Sequence, residues 1–172
     1  MVGLRKGHCY TPMERPYTRT SKFKSKSYIS TVPAKKITKF NMGNQDRKFK
    51  YTVKLISKDN IQLRQNCIES ARQVVNRDLN EQLGPNGYYL TINVYPHHIL
   101  RENKMLGGAH ADRLQTGMAH SFGKVINCAA QVKVGKEIMV AKVDDAFKAK
   151  ESLKKAIARI PARCKIEINK IE

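Results

Sequence analysis

Residues 49–57, "FKYTVKLIS", alternate without a break: Phe49, Tyr51, Val53 and Leu55 fall on one face, and Lys50, Thr52 and Lys54 on the other. That is the period of a half-buried strand, and a helical period follows it at once. Ile61, Cys67, Ile68, Ala71, Val74, Val75, Leu79 and Leu83 recur at three- and four-residue steps, the apolar stripe of an amphipathic helix. Asn60 stands where a cap would begin this helix, and Gly84-Pro85 would end it. "YYLTINVY", residues 88–95, is rich in β-formers and is stopped by Pro96. A strand, a long helix and a second strand must bury their apolar faces together, so the spacing predicts a β-α-β unit.

The second half carries a related order. "VINCAAQVKV" (125–134) and "EIMVAKV" (137–143) flank Gly135-Lys136, the signature of a hairpin. Asp144 and Asp145 then stand where carboxylates suit a helix N-terminus. Ala146, Ala149, Leu153, Ala156, Ile157 and Ile160 form the stripe of that helix, which Pro161 closes, and "CKIEINKI" (164–171) alternates as a last strand. The order is β-α-β, a long loop insert, then β-β-α-β, which predicts an α+β fold: a two-layer α/β sandwich with helices on one face. A chain of 172 residues can bury one sizeable core. We expect that core from residues 47–172, with 97–124 as a long flexible functional loop.

Charge divides the chain differently. Lys and Arg number 33 against 14 Asp and Glu, a formal +19. Residues 1–50 hold thirteen of the cations against only Glu14 and Asp46, whereas residues 51–100 are close to neutral. Such an excess repels itself and favours polyanions, chiefly nucleic acid. Residues 1–46 therefore read as a basic arm. Its cations are Arg5, Lys6, Arg15, Arg19, Lys22, Lys24, Lys26, Lys35 and Lys36, interleaved with Tyr17, Phe23, Tyr28 and several hydroxyls. Cations neutralise phosphates, hydroxyls bond to them and rings stack on bases. Pro12, Pro16 and Pro33 keep this stretch from forming a helix.

Other classes fit poorly. Cys9, Cys67, Cys128 and Cys164 are too widely spaced for a zinc site or a disulfide framework, so four reduced thiols in a cytosolic protein are expected. No apolar run approaches a membrane span, and the first residues lack the apolar core of a signal peptide. The stretch "NKMLGGAHADRLQTGMAHSFGK" (103–124) fails as a phosphate-binding loop: Gly117 to Gly123-Lys124 has one residue too many, and Val125 replaces the metal-binding hydroxyl. His97, His98, His110, Asp112 and His120 match no metal-ligand spacing, and neither metal nor cofactor is expected. An RNA-processing enzyme using His98, His110, Asp112 or His120 is the alternative from another class, and a nucleoid-type packaging protein is a third. Four glycines give the stretch reach, while Met105, Leu106, Met118 and Phe122 offer adaptable apolar contacts. "ADRLQTGM" reads as a short helix with Leu114 and Met118 on one side.

Taken together, "INVYPHHILRENKML", "ADRLQTGM" and "FGK" resemble the signature region of a universal large-subunit ribosomal protein family, called L ten e in archaea and eukaryotes and L sixteen in bacteria. "RPYTRTSKFKSKSYISTVPAKKITKFNMGN" resembles the basic N-terminal region of that family, and "FKAKESLKKAIARIPARCKIEINK" its closing helix and strand. The resemblance covers most of the chain and looks more archaeal than eukaryotic. His110, Ala119 and Val125 depart from the residues usual at those places.

The resemblance implies a non-catalytic protein of the cytoplasmic ribosome. It implies a body on large-subunit rRNA near the central protuberance, beside the 5S rRNA region and neighbouring ribosomal proteins. It implies that the arm cations lie against rRNA and that a loop faces the A-site tRNA and the peptidyl transferase centre. By position, that loop would use Arg101, Lys104, Met105, Gly107, Gly108, Asp112, Arg113, Gln115 and Lys124. Support of tRNA positioning and of late subunit maturation is the implied role.

Overall fold

A computed structural model describes residues 5–19, 21–29, 31–103, 118 and 123–171. The described elements are, in chain order, β1 (Asn41–Gly43), β2 (Tyr51–Ser57), β3 (Ile61–Arg64), α1 (Gln65–Leu83), β4 (Tyr88–Ile92), β5 (His98–Glu102), β6 (Lys124–Val132), β7 (Glu137–Val143), α2 (Ala146–Ile157) and β8 (Cys164–Lys170). The fold is α+β, as the pattern of periods predicts, and every described strand pairing is antiparallel.

Five strands form one sheet in the order β1-β4-β7-β2-β8, and three form a second in the order β3-β6-β5, so β6 and β7 lie in different sheets and do not form the hairpin expected across Gly135-Lys136. In the larger sheet β2 and β4 both run antiparallel to β7, so they are parallel to each other with β7 between them. In the same way β7 and β8 are parallel with β2 between them. Two split β-α-β units therefore interlock, each taking its middle strand from the other.

The buried face of the large sheet explains the alternation read in the sequence. Val53 and Leu55 point into the core with Leu90, Met139, Ala141 and Val143, beneath Ile68, Ala71, Val75 and Leu79 of α1 and Ala149, Leu153 and Ala156 of α2. On the other face Lys54 pairs with Glu137 at 2.7 Å. Where the helices meet, Asp78 of α1 takes the Ser152 hydroxyl at 2.6 Å and the Lys155 ammonium on its other oxygen. Asp145 caps α2 by accepting the Phe147 and Lys148 amides at 3.1 and 3.4 Å. Asp144 instead binds Arg47 at 2.6 Å.

The start of α1 differs from the sequence reading. Residues 61–64 are strand β3, with Ile61 opposite Val132 and Leu63 opposite Ala130. Asn60 does not cap the helix; its side chain accepts the Val134 amide at 3.0 Å. Arg64 takes the cap position with no side-chain cap bond. Residues 98–102, read as the beginning of the loop, form β5. Among the described residues no helix is long and apolar enough to cross a membrane.

Candidate nucleic-acid interface

The arm is laid along the smaller sheet by main-chain bonds. It opens with a 3-10 turn, Gly7–Tyr10, that buries Tyr10 against Leu100 and Ala129. Gln62 donates its amide to the Thr11 carbonyl at 2.9 Å, and the Gln131 side chain donates to the Glu14 carbonyl at 2.7 Å. Farther on, the Tyr17 amide donates to His98 Nδ1, and the Ile99 amide donates to the Tyr17 carbonyl. The arm then turns back: the Tyr28 amide donates to the Arg19 carbonyl at 3.2 Å, and the Tyr17 hydroxyl to the Tyr28 carbonyl at 3.1 Å. Ile29 closes the course by packing on Ile99 and Cys128. Ile99 and Leu100 are consecutive strand residues and point to opposite faces. The arm therefore covers both faces of the smaller sheet.

With the backbone fixed inward, the charge is left outward. Arg5, Lys6, Arg15, Arg19, Lys22, Lys24, Lys26, Lys35 and Lys36 are all exposed. Apart from Arg5, none of them has a carboxylate partner among the described residues. Several lie over rings instead. The Arg19 guanidinium is 4.8 Å from the Tyr28 centroid, and Lys22 and Lys26 are 5.4 and 5.6 Å from that of Phe23. Lys35 sits 4.1 Å over Tyr95, whose ring lies 5.7 Å from that of Phe40. Phe23 and Tyr28 remain 57% and 59% exposed, so each ring keeps open surface beside its cation. A phosphate and a base can be met together by such a pair. Lys36 is tied through its main chain, whose amide donates to Gln65 Oε1 at 2.9 Å.

Arg5 has a different place. It donates to Glu102 at 2.6 Å, at the C-terminal end of β5. Arg101, next to it, stacks its guanidinium 4.0 Å from the Tyr17 centroid, and Lys124 opens β6 opposite Glu102. Two expected loop residues, Arg101 and Lys124, are thus paired strand residues at its root. Gly123 beside them has φ +102, and a Cβ there would lie 2.9 Å from the Met118 sulfur. Lys104, Met105, Gly107, Gly108, Asp112, Arg113 and Gln115 lie outside the described residues, as do His110, His120 and most of the short helix expected at 111–118.

The histidines do not gather into a site. His97 is exposed, with Nδ1 3.0 Å from the Tyr95 carbonyl. His98 is buried. Burial first, then the nearby His97 and Arg101, push its pKa down to about 4, so the imidazole is neutral at neutral pH. Its Nδ1 lone pair holds the arm. Among the described residues no group of three or more His, Cys, Asp or Glu could hold a metal ion. Sequence reasoning missed Tyr10, Tyr95 and this role of His98. Only the apolar character of Tyr10 inside a charged segment could have pointed to it.

Residues 12–167 match the family described as ribosomal protein L16p/L10e. The large ribosomal subunit protein uL16 of Methanococcus maripaludis strain S2 is 42% identical over 172 residues, covering 98% of this chain and 96% of that protein. The uL16 proteins of Staphylothermus marinus and Archaeoglobus fulgidus are 42% and 41% identical, covering 95% and 92% of this chain and 92% and 88% of their own lengths. All three relatives are archaeal.

Proposed function

Since the chain belongs to the ribosomal protein L16p/L10e family, we propose that its arm binds large-subunit rRNA while the body carries the 97–124 segment towards bound tRNA. It is a structural constituent of the large ribosomal subunit that acts in translation, and it is not an enzyme. The RNA-processing alternative therefore falls. Its seat in the cytoplasmic ribosome is near the central protuberance, beside the 5S rRNA region and other ribosomal proteins. From there the loop faces the A-site tRNA and the peptidyl transferase centre, supporting tRNA positioning and late subunit maturation.

One observation carries the RNA-binding part. Eight exposed arm cations lack carboxylate partners among the described residues, and they stand among exposed rings on a backbone fastened to the smaller sheet. A solvated tail needs neither the rings nor the fastening. If about 6–10 phosphates are neutralised, affinity for rRNA falls roughly 10³–10⁵-fold between 50 and 200 mM salt. A tagged copy expressed in an archaeal host should co-sediment with large subunits and with whole ribosomes. Its absence from both fractions would remove the proposal.

A further inference from the structure

We propose that the cleft between the beginning of α1 and the end of α2 is a second RNA contact, a seat for one backbone phosphate. Its RNA occupant rests on the function proposed above, but its cations Arg64 and Arg159 lie outside the arm, of which only Gly7 and Thr11 are among the described lining residues. The cleft measures about 230 Å³ and is lined chiefly by Gly7, Thr11, Gln62, Arg64, Cys67 and Arg159, with Ile160 and Pro161 at the α2 end. That is below the roughly 300–1,000 Å³ of small-molecule pockets, so it suits a group rather than a whole cofactor.

The charges in the cleft are unbalanced. Arg64 and Arg159 come from distant parts of the chain, and no described Asp or Glu lines the space they share. Neither arginine has an ion pair among the described residues. Like charges brought to one cleft repel, and an anion seated with them converts that cost into attraction. Guanidinium groups present fixed forks of N–H donors that match phosphate oxygens two at a time.

Arg64 is also held in place. Its guanidinium lies 5.4 Å from the Tyr10 centroid, and Nη1 donates to the Arg5 carbonyl at 3.4 Å. A Cβ at Gly7 would stand 3.2 Å from Nη2 of Arg64, close enough that the guanidinium would have to move by a few tenths of an ångström. The neutral polar groups are already used. The Thr11 hydroxyl donates to the Gly7 carbonyl, and the Gln62 side chain donates to the Tyr10 carbonyl and accepts from Gln131. Among the described lining residues these two arginines carry the only charge, and the net +19 of the chain favours a polyanion as the source of a ligand.

The test compares wild type with Arg64→Gln/Arg159→Gln, and with Lys133→Gln/Lys150→Gln as a control that removes the same charge from other exposed positions. Binding to transcribed Methanococcus maripaludis large-subunit rRNA is measured from 50 to 200 mM salt, beside the arginine side-chain NMR signals during titration with inorganic phosphate. The cleft variant should lose about 0.7–0.9 from the slope of log affinity against log salt, the share of one phosphate, while the control keeps the wild-type slope. Phosphate should shift the Arg64 and Arg159 signals. Should the double variant unfold, Gly7→Ala keeps both charges, crowds Arg64 by one methyl group and should weaken the phosphate shifts several-fold.

Equal slope losses in the two double variants, or none in either, would overturn the proposal. Phosphate shifts without a change of RNA slope would mean an adventitious ion only. Displacement of phosphate by a glutamate-rich peptide but not by RNA would assign the cleft to an acidic protein. Failure of the cleft alone leaves the salt dependence of the arm intact, whereas failure of the whole functional reading removes rRNA binding by wild type as well.

Discussion

The Tyr17 amide donates to Nδ1 of His98 across 2.8 Å, and the Tyr17 carbonyl accepts the Ile99 amide at 3.1 Å. One arm residue is thus paired to β5 much as a neighbouring strand would be, with an imidazole replacing one main-chain partner. The bond needs an unprotonated Nδ1, and a charged ring would present a donor to a donor. Burial keeps the ring neutral, so the fastening is intact at neutral pH.

Acid should loosen this fastening. The folded pKa of His98 is about 4, below the ordinary value of about 6.5 for an unfolded chain. Between those values the unfolded state binds more protons, so the stability contribution is complete above about pH 6.5 and is lost as pH falls towards 4. The loss is on the order of 3 kcal/mol across that window. His98→Asn keeps an acceptor and cannot titrate. Urea unfolding at pH 7, 6 and 5 should show a flatter pH dependence for this variant, and equal slopes would mean that another group titrates.

Ile29 covers Ile99 and Cys128 on one face of the smaller sheet. Ile29→Ala leaves space in a small cluster, and large-to-small core changes of this kind cost about 2–5 kcal/mol, with the low end expected here. Cys128 is 1% exposed in the native fold and should become labelled by a maleimide as the arm lifts. Mass spectrometry distinguishes it from Cys9, which is exposed from the start. Unchanged protection of Cys128 would show that the sheet does not need this part of the arm.

Asp78 links the two helices. Burial pushes its carboxyl up, but the bonds from Lys155 and Ser152 more than offset this and hold it below the usual range. Its contribution is therefore present above the ordinary carboxylate pKa and is lost as pH falls through the lower folded value. Asp78→Ala removes a hydrogen bond to a charged acceptor, worth about 1.5–3 kcal/mol, while the Ser152 hydroxyl keeps the Lys148 carbonyl at 3.1 Å. Lys155 is half exposed and adds little. Chemical denaturation at pH 7 measures the difference, and a change within 0.5 kcal/mol, the usual range of surface substitutions, would contradict it.

At the arm, Lys22→Ala/Lys26→Ala and Phe23→Ala should separate charge from stacking. The lysine pair should lower the salt slope of rRNA binding by about 0.7–0.9 for each phosphate contact removed. Phe23→Ala should keep the slope and weaken binding by about 1–3 kcal/mol if an unpaired base stacks there. Filter binding at several salt concentrations gives both quantities. A Phe23 variant that binds as wild type would limit the arm to phosphate contacts.

Apart from β1, which falls inside the segment read as arm, the large sheet was legible in the sequence because only one of its faces meets the helices. Val53 and Leu55 alternate with Thr52 and Lys54 for that reason, and β7, α2 and β8 fall close to their expected spans. The smaller sheet hid itself. Ile99 and Leu100 are adjacent and both buried, one under Ile29 and the other near Tyr10, so "HILRE" shows no alternation. In β3, Ile61, Gln62 and Leu63 are buried in succession. Three buried residues in succession carry no period, and their run into α1 made them look helical. The exposed arm cations and the rings Tyr17, Phe23 and Tyr28 among them were legible from the sequence, whereas the Lys35–Tyr95 stack and the Arg64–Arg159 cleft depend on contacts distant in sequence.

The interlocked strand order also bears on how the polypeptide is made. β2 and β4 have no contact partner in the middle of their sheet until β7 is inserted between them, and β8 joins the far side of β2 later still. An emerging chain that ends at β4 holds two apolar strands and a helix with an open gap, a state prone to aggregation. Such non-local pairing is slow to close. The growing chain therefore passes most of its synthesis unfinished, its basic arm already exposed to RNA before the sheet that fastens it exists.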